Sequence, residues 1–101
     1  MTNESGLLFD KENDIDSVLK ERGEQYGDFK SLAVLSQMLK AHTAIEYLSP
    51  DLEYVQEGMD MICHKIARIV NGNPRHIDSW RDIAGYAMLV VKELEKGDCD
   101  D

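Results

Sequence analysis

Through most of the chain the apolar positions recur at steps of three and four, the spacing of one face of an α-helix. A first helix is expected to start at Asn13 or Asp14, either of which can cap it. Ile15, Val18, Leu19 and Arg22 share one of its faces, and Gly27 is placed to take the left-handed backbone that ends helices. A second helix is expected from Phe29 or Lys30 to Leu48. It carries two stripes: Leu32, Leu35 and Leu39, then Val34, Met38, Ala41, Ile45 and Leu48. Two stripes predict burial on more than one side. His42, at the Leu39 end of the first stripe, is expected to be a hydrogen-bonded core residue.

Ser49-Pro50-Asp51 is the sharpest boundary, since Ser caps, Pro fits the first helical position and Asp complements the positive helix end. The third helix then runs to about Val70 with Leu52, Val55, Met59, Ile62, Ile66 and Ile69 as its core face. Gly72-Asn73-Pro74 ends it. The last helix, capped by Asp78 or Ser79 and lasting to about Lys96, presents Trp80, Ile83, Ala84, Ala87, Val91 and Leu94 as its core face. Ser79 with Asp82 resembles a capping box. Gly85 beside Ala84 and Ala87 points to close helix–helix approach. No run alternates with period two in the manner of a strand.

The prediction is an all-α protein: a compact bundle of about four helices over residues 13–96. Residues 1–12 are expected to be a flexible arm with a Leu7-Leu8-Phe9 cluster, and residues 97–101 an acidic tail. Four helices with wide apolar faces on 101 residues leave surface that one chain does not cover, so a dimer or higher oligomer is expected.

Charge narrows the partners. A net charge of −9 argues against direct grip on nucleic-acid phosphates, which needs clustered Lys and Arg. It permits an acidic metal site, a basic protein partner, or mere solubility. No apolar run has the length to span a bilayer or the pattern of a signal peptide, so a cytoplasmic location is expected. Cys63 lies in an apolar run and Cys99 in the polar tail, and no disulfide between them is expected.

Candidate chemistry gathers on the third and fourth helices. Glu53, Glu57, Asp60 and His64 step by four, three and four along one side of the third helix. A solvated face is the plain reading of such a stripe, and a ligand row the sharper one. Lys65 and Arg68 follow, placed to balance the acids or hold a phosphate. Asp78, Asp82 and Tyr86 stand on the last helix, and Glu21 and Glu24 close the first.

Three blocks carry a resemblance: Tyr26-Gly27-Asp28-Phe29, Lys65-Ile66-Ala67-Arg68, and Asp78-Ser79-Trp80-Arg81-Asp82-Ile83-Ala84-Gly85-Tyr86-Ala87. Together they resemble the signature of a small phage and prophage family of unknown function, across about residues 18–95. The resemblance implies a phage or prophage origin, and so a host-cell cytoplasm. That family in turn distantly resembles the all-helical MazG-type nucleoside triphosphate pyrophosphohydrolases. Those place Glu-x-x-Glu and Glu-x-x-Asp pairs on neighbouring helices to hold Mg²⁺, which activates a water for attack on the α-phosphorus. Here Glu21 with Glu24 matches the first pair. Either Glu57 with Asp60 or Asp78 with Asp82 matches the second, the latter at a spacing of four instead of three.

On that implication Glu21, Glu24, Glu57, Asp60, Asp78 and Asp82 are the expected Mg²⁺ ligands. Glu57, Asp60 and Asp82 are the expected catalytic carboxylates, and Lys65, Arg68 and Tyr86 the expected nucleotide contacts. The expected function is nucleotide binding or Mg²⁺-dependent hydrolysis. The alternative is an acidic phage protein that binds and blocks a host factor, such as a nucleic-acid-handling or defence protein, by mimicking phosphate charge.

Overall fold

Gly27 ends one helix and Asp28 caps the next, and that junction turns the chain. In the computed structural model the backbone is described for residues 2–98 and the side chains for residues 14–97. Helix α1 spans Thr2–Tyr26, α2 Phe29–His42, α3 Glu53–Asn71 and α4 Ile77–Asp98, with a single 3-10 turn at Pro50–Leu52. The architecture is an all-α bundle, and no strand occurs among the described residues. Helix α3 is the middle of it, packed against α2 on one side and α4 on the other, while α1 touches its neighbours far less.

The turn between α1 and α2 follows the expected chemistry. Gly27 takes φ +82°, and its N–H donates to the Gly23 carbonyl. The Asp28 carboxylate accepts from the Ser31 N–H at 3.0 Å, capping α2. A stitch holds this turn to the far end of α3. The Asn71 side-chain amide donates to the carbonyls of Tyr26 and Asp28 at 2.9 and 3.0 Å. The Asn73 N–H donates to the Gln25 carbonyl at 2.6 Å. Gly72 approaches so close that a Cβ there would collide with the backbone of Gln25 and Tyr26. The α3–α4 contact is also tight, since a Cβ on Gly58 would meet the Val90 methyl.

Several expectations are corrected. The backbone of residues 2–12, expected as an arm, is helical and continuous with α1, so the helix begins well before Asn13. A capping residue favours a start without compelling one, and residues before it contain no Pro to stop the helix. The Leu7-Leu8-Phe9 side chains lie outside the described residues, as do Cys99 and the acidic tail beyond Asp98.

Helix α2 ends at His42, not Leu48. Thr43 turns the chain, its hydroxyl donating to the Leu39 carbonyl at 2.8 Å, and the Ile45 N–H goes to the Gln56 side chain at 2.7 Å. The first adds a side-chain donor to a carbonyl that also takes the Thr43 N–H, and the second satisfies an N–H beyond the helical ladder. His42 is therefore an exposed terminal residue, not a core one. Of the two α2 stripes only Leu32, Leu35 and Leu39 turn inward; Val34 and Met38 are more than half exposed.

The largest correction concerns α4. Its contact with α3 runs through Ser79, Ile83, Tyr86 and Val90, the four residues of the helix with least exposure near that line. Of the expected core face only Ile83 turns inward. Trp80, Ala84, Ala87, Val91 and Leu94 face away from α3. The periodicity was sufficient to define a face and blind to which neighbour covers it.

Candidate functional site

The three blocks that carry the resemblance meet around α3. Arg68 leans off α3 so that its guanidinium carbon sits 4.2 Å above the centre of the Tyr26 ring. Tyr26 in turn meets the His76 ring edge-on at 5.3 Å between centroids. His76 pairs with Ser79 at 3.1 Å, at the start of α4. One turn earlier on α3, Lys65 reaches Asp82 of α4 at 3.0 Å. Lys65 is buried and Asp82 about half exposed, so the pair is a lid on the α3–α4 contact with water at one end.

Between α1, α2 and α3 lies a cleft of about 470 Å³. Leu19, Phe29 and Leu32 give it apolar walls, Arg22 and Arg68 give it cationic ones, and His64 adds an imidazole. Among the described residues neither Arg22 nor Arg68 forms an ion pair with a carboxylate, although the chain holds 20 acids. The one carboxylate lining the cleft, Asp28, is taken up by the N–H and hydroxyl of Ser31. The Arg68 Nε is buried with no acceptor among the described residues. A guanidinium stacked on an aromatic face and short of acceptors is a fixed, partly desolvated cation, the kind of group that receives an anion.

His64 belongs to the same wall. Its Nδ1 pairs with the buried Ser36 hydroxyl at 3.3 Å. Burial pulls its pKa below the ordinary 6.5, and the charges of Arg68, Lys40 and Lys65 pull the same way. An unfolded histidine takes its proton near pH 6.5, whereas the folded one resists until lower pH. The stability it contributes is complete above pH 6.5 and is lost as pH falls through the window below. The melting temperature is therefore expected to fall on acidification from pH 6.5, and His64→Gln to flatten that part of the profile. A profile unchanged by the substitution would remove His64 from the account.

The acidic residues expected to share a metal are held apart. Glu21 and Glu24 are exposed on α1, and Glu57 is exposed on α3. Asp60 accepts from the Gln56 amide at 2.9 Å. Asp78 pairs with Arg81 at 3.6 Å, and Asp82 with Lys65. Among the described residues no three His, Cys, Asp or Glu side chains gather closely enough to hold one ion. Among the described residues the donor set does not fit an octahedral Mg²⁺, which needs several oxygens around one point.

Of the expected nucleotide contacts, Arg68 lines the main cleft. Lys65 turns instead toward α4, where Asp82 holds it, and does not line that cleft. Tyr86 lies with Arg81, Asp82, Gly85 and Leu89 along a shallow hollow of about 450 Å³ on α4. Sequence reasoning missed Arg22, Tyr26 and His64 as a group. His64 and Arg68 are four apart, and that spacing was available; the approach of Tyr26 depends on the Asn71 stitch, which no local pattern announces.

A family profile covers residues 12–94 of the chain, taking in all three blocks. The chain belongs to that family. It is described as a domain of unknown function, DUF6378. Its matched stretch holds every residue of the cleft and of the Lys65–Asp82 pair. No curated protein and no solved structure matches the chain.

Proposed function

We propose that this chain binds a small phosphorylated compound of the nucleotide class in the α1–α2–α3 cleft, with Arg68 as the principal anion contact. The observation that carries the reading is Arg68 itself: stacked on Tyr26, lining an apolar cleft, with no ion-pair partner among the described residues. Arg22 offers a second donor, and Leu19, Phe29 and Leu32 offer a surface for a flat apolar body. Recognition of this kind needs few polar groups set in a mainly apolar wall. Catalysis is not part of the proposal, because among the described residues no carboxylates gather that would hold Mg²⁺. The reading of an acidic protein that blocks a host factor rests on net charge alone.

The test is a thermal-shift panel of nucleoside mono-, di- and triphosphates, run with and without Mg²⁺. A ligand that binds only the folded chain raises its melting temperature by mass action, with about 2.7 kcal/mol of stabilisation at a hundred times Kd. A concentration-dependent rise with at least one phosphorylated compound, absent with the matching nucleoside, is the expected result. No shift across the panel at millimolar ligand overturns it.

A further inference from the structure

The outward face of α4 repeats at steps of three and four: Ile77, Trp80, Ala84, Ala87, Val91 and Leu94. These are the a and d positions of a heptad seam, and this is the narrow stripe by which two helices wrap on each other. All six are exposed in the single chain, with Ile77 at 58%, Trp80 at 54%, Val91 at 43% and Leu94 at 44%. Nothing on α2 or α3 requires the stripe, since α3 is served by Ser79, Ile83, Tyr86 and Val90.

The sizes along this seam read the same in both directions: bulky, bulky, small, small, bulky, bulky. A stripe of that form is self-complementary when one helix is reversed against another. We infer that α4 pairs with α4 of a second copy, antiparallel about a two-fold axis near Gly85 and Tyr86. Ile77 of each copy then lies opposite Leu94 of the other, Trp80 opposite Val91, and Ala84 opposite Ala87. A parallel pair would instead set two Trp80 indoles in one layer and leave the alanine layers facing a gap. Reversal also opposes the two helix dipoles.

The area supports a second copy as the occupant. The chain exposes 7858 Å². A compact monomer of 11.5 kDa exposes about 5,800 Å² by the scaling of surface with mass. That excess is shared between α1, which makes few contacts with its neighbours, and the open apolar faces, that of α4 among them; a standard interface buries roughly 800 Å² on each partner. The core inside one chain is correspondingly small: Leu32, Cys63, Ala67 and Ile69 are the buried apolar residues among those described.

Light scattering on the full chain tests the pairing. The expected mass is twice the 11.5 kDa of one chain. Val91→Glu, which puts a charge opposite Trp80, is expected to return it to one chain's mass with helical circular dichroism retained. Because that variant can fail to fold, cross-linking gives a second reading in a Cys99→Ser background. Ile77→Cys protein mixed with Leu94→Cys protein is expected to form a disulfide-linked pair, while each alone does not. A monomeric wild type at tens of micromolar overturns the inference. So does a Val91→Glu protein that stays dimeric, or cross-linking of each cysteine variant with itself and not with the other.

Discussion

Gly27→Ala is expected to lower the stability of the fold by about 3 kcal/mol, the sum of an unfavourable left-handed backbone and a steric collision. Gly27 sits at φ +82°, a region that residues with a Cβ rarely adopt. The new methyl would also drive into the backbone carbonyl of Asn71, an atom that cannot swing aside like the end of a long side chain. Relief means pulling the α1–α2 turn off α3, which loses the bonds from Asn71 to the Tyr26 and Asp28 carbonyls. Urea denaturation of the two proteins measures the difference. A change below about 1 kcal/mol, the usual scale of an unstrained Gly→Ala exchange, would mean that the turn is looser than described. Gly85→Ala provides the contrast. No collision awaits its Cβ within the chain, so the substitution should stabilise α4 as an isolated helix by about 1 kcal/mol.

Arg68→Gln is expected to weaken binding of a responsive phosphorylated ligand by roughly 10- to 100-fold. This corresponds to losing one charge-assisted hydrogen bond of about 1.5–3 kcal/mol. The same substitution should leave stability nearly unchanged. It gives up the stacking on Tyr26, and it also removes a buried Nε that has no acceptor among the described residues. Those two effects oppose each other, each on the order of 1–2 kcal/mol. Arg68→Lys keeps the charge but loses the flat fork, so it should recover only part of the affinity. Calorimetric titration beside a melting curve separates the two. Parallel loss of affinity and of stability would make Arg68 a structural residue and the cleft incidental.

The helices were legible because their signals are local. Pro50 and the acid after it mark a start, and Gly27 marks a stop whose backbone takes the left-handed form expected of it. The end of α2 was less legible because it depends on the Gln56 side chain of another helix capturing the Ile45 N–H. For α4, the apolar stripe was visible, but the partner it was assigned to was wrong. A stripe records that a face avoids water, and does not record which surface meets it.

The cleft was hardly legible at all. Pairs of acids three or four apart are common in a chain with 20 of them, and that pattern drew attention to carboxylates. The structure instead gives Asp60, Asp78 and Asp82 to separate partners, Gln56, Arg81 and Lys65, and leaves Glu21, Glu24 and Glu57 exposed. It brings Arg22, His64 and Arg68 together through a crossing of α1 and α3, which is set by Gly27, Asn71 and Gly72. Long-range geometry made from two glycine fits and one bridging amide leaves no periodic trace.

Helix α1 is joined to the rest of the chain chiefly at its C-terminal turns, and the cleft opens at that same joint. A molecule seated there touches α1, α2 and α3 at once and so acts as a clasp. Its arrival would slow amide hydrogen exchange along the last turns of α1 more than in α4, which lines none of that cleft. Occupancy of the chain would thus be written in the stiffness of its first helix.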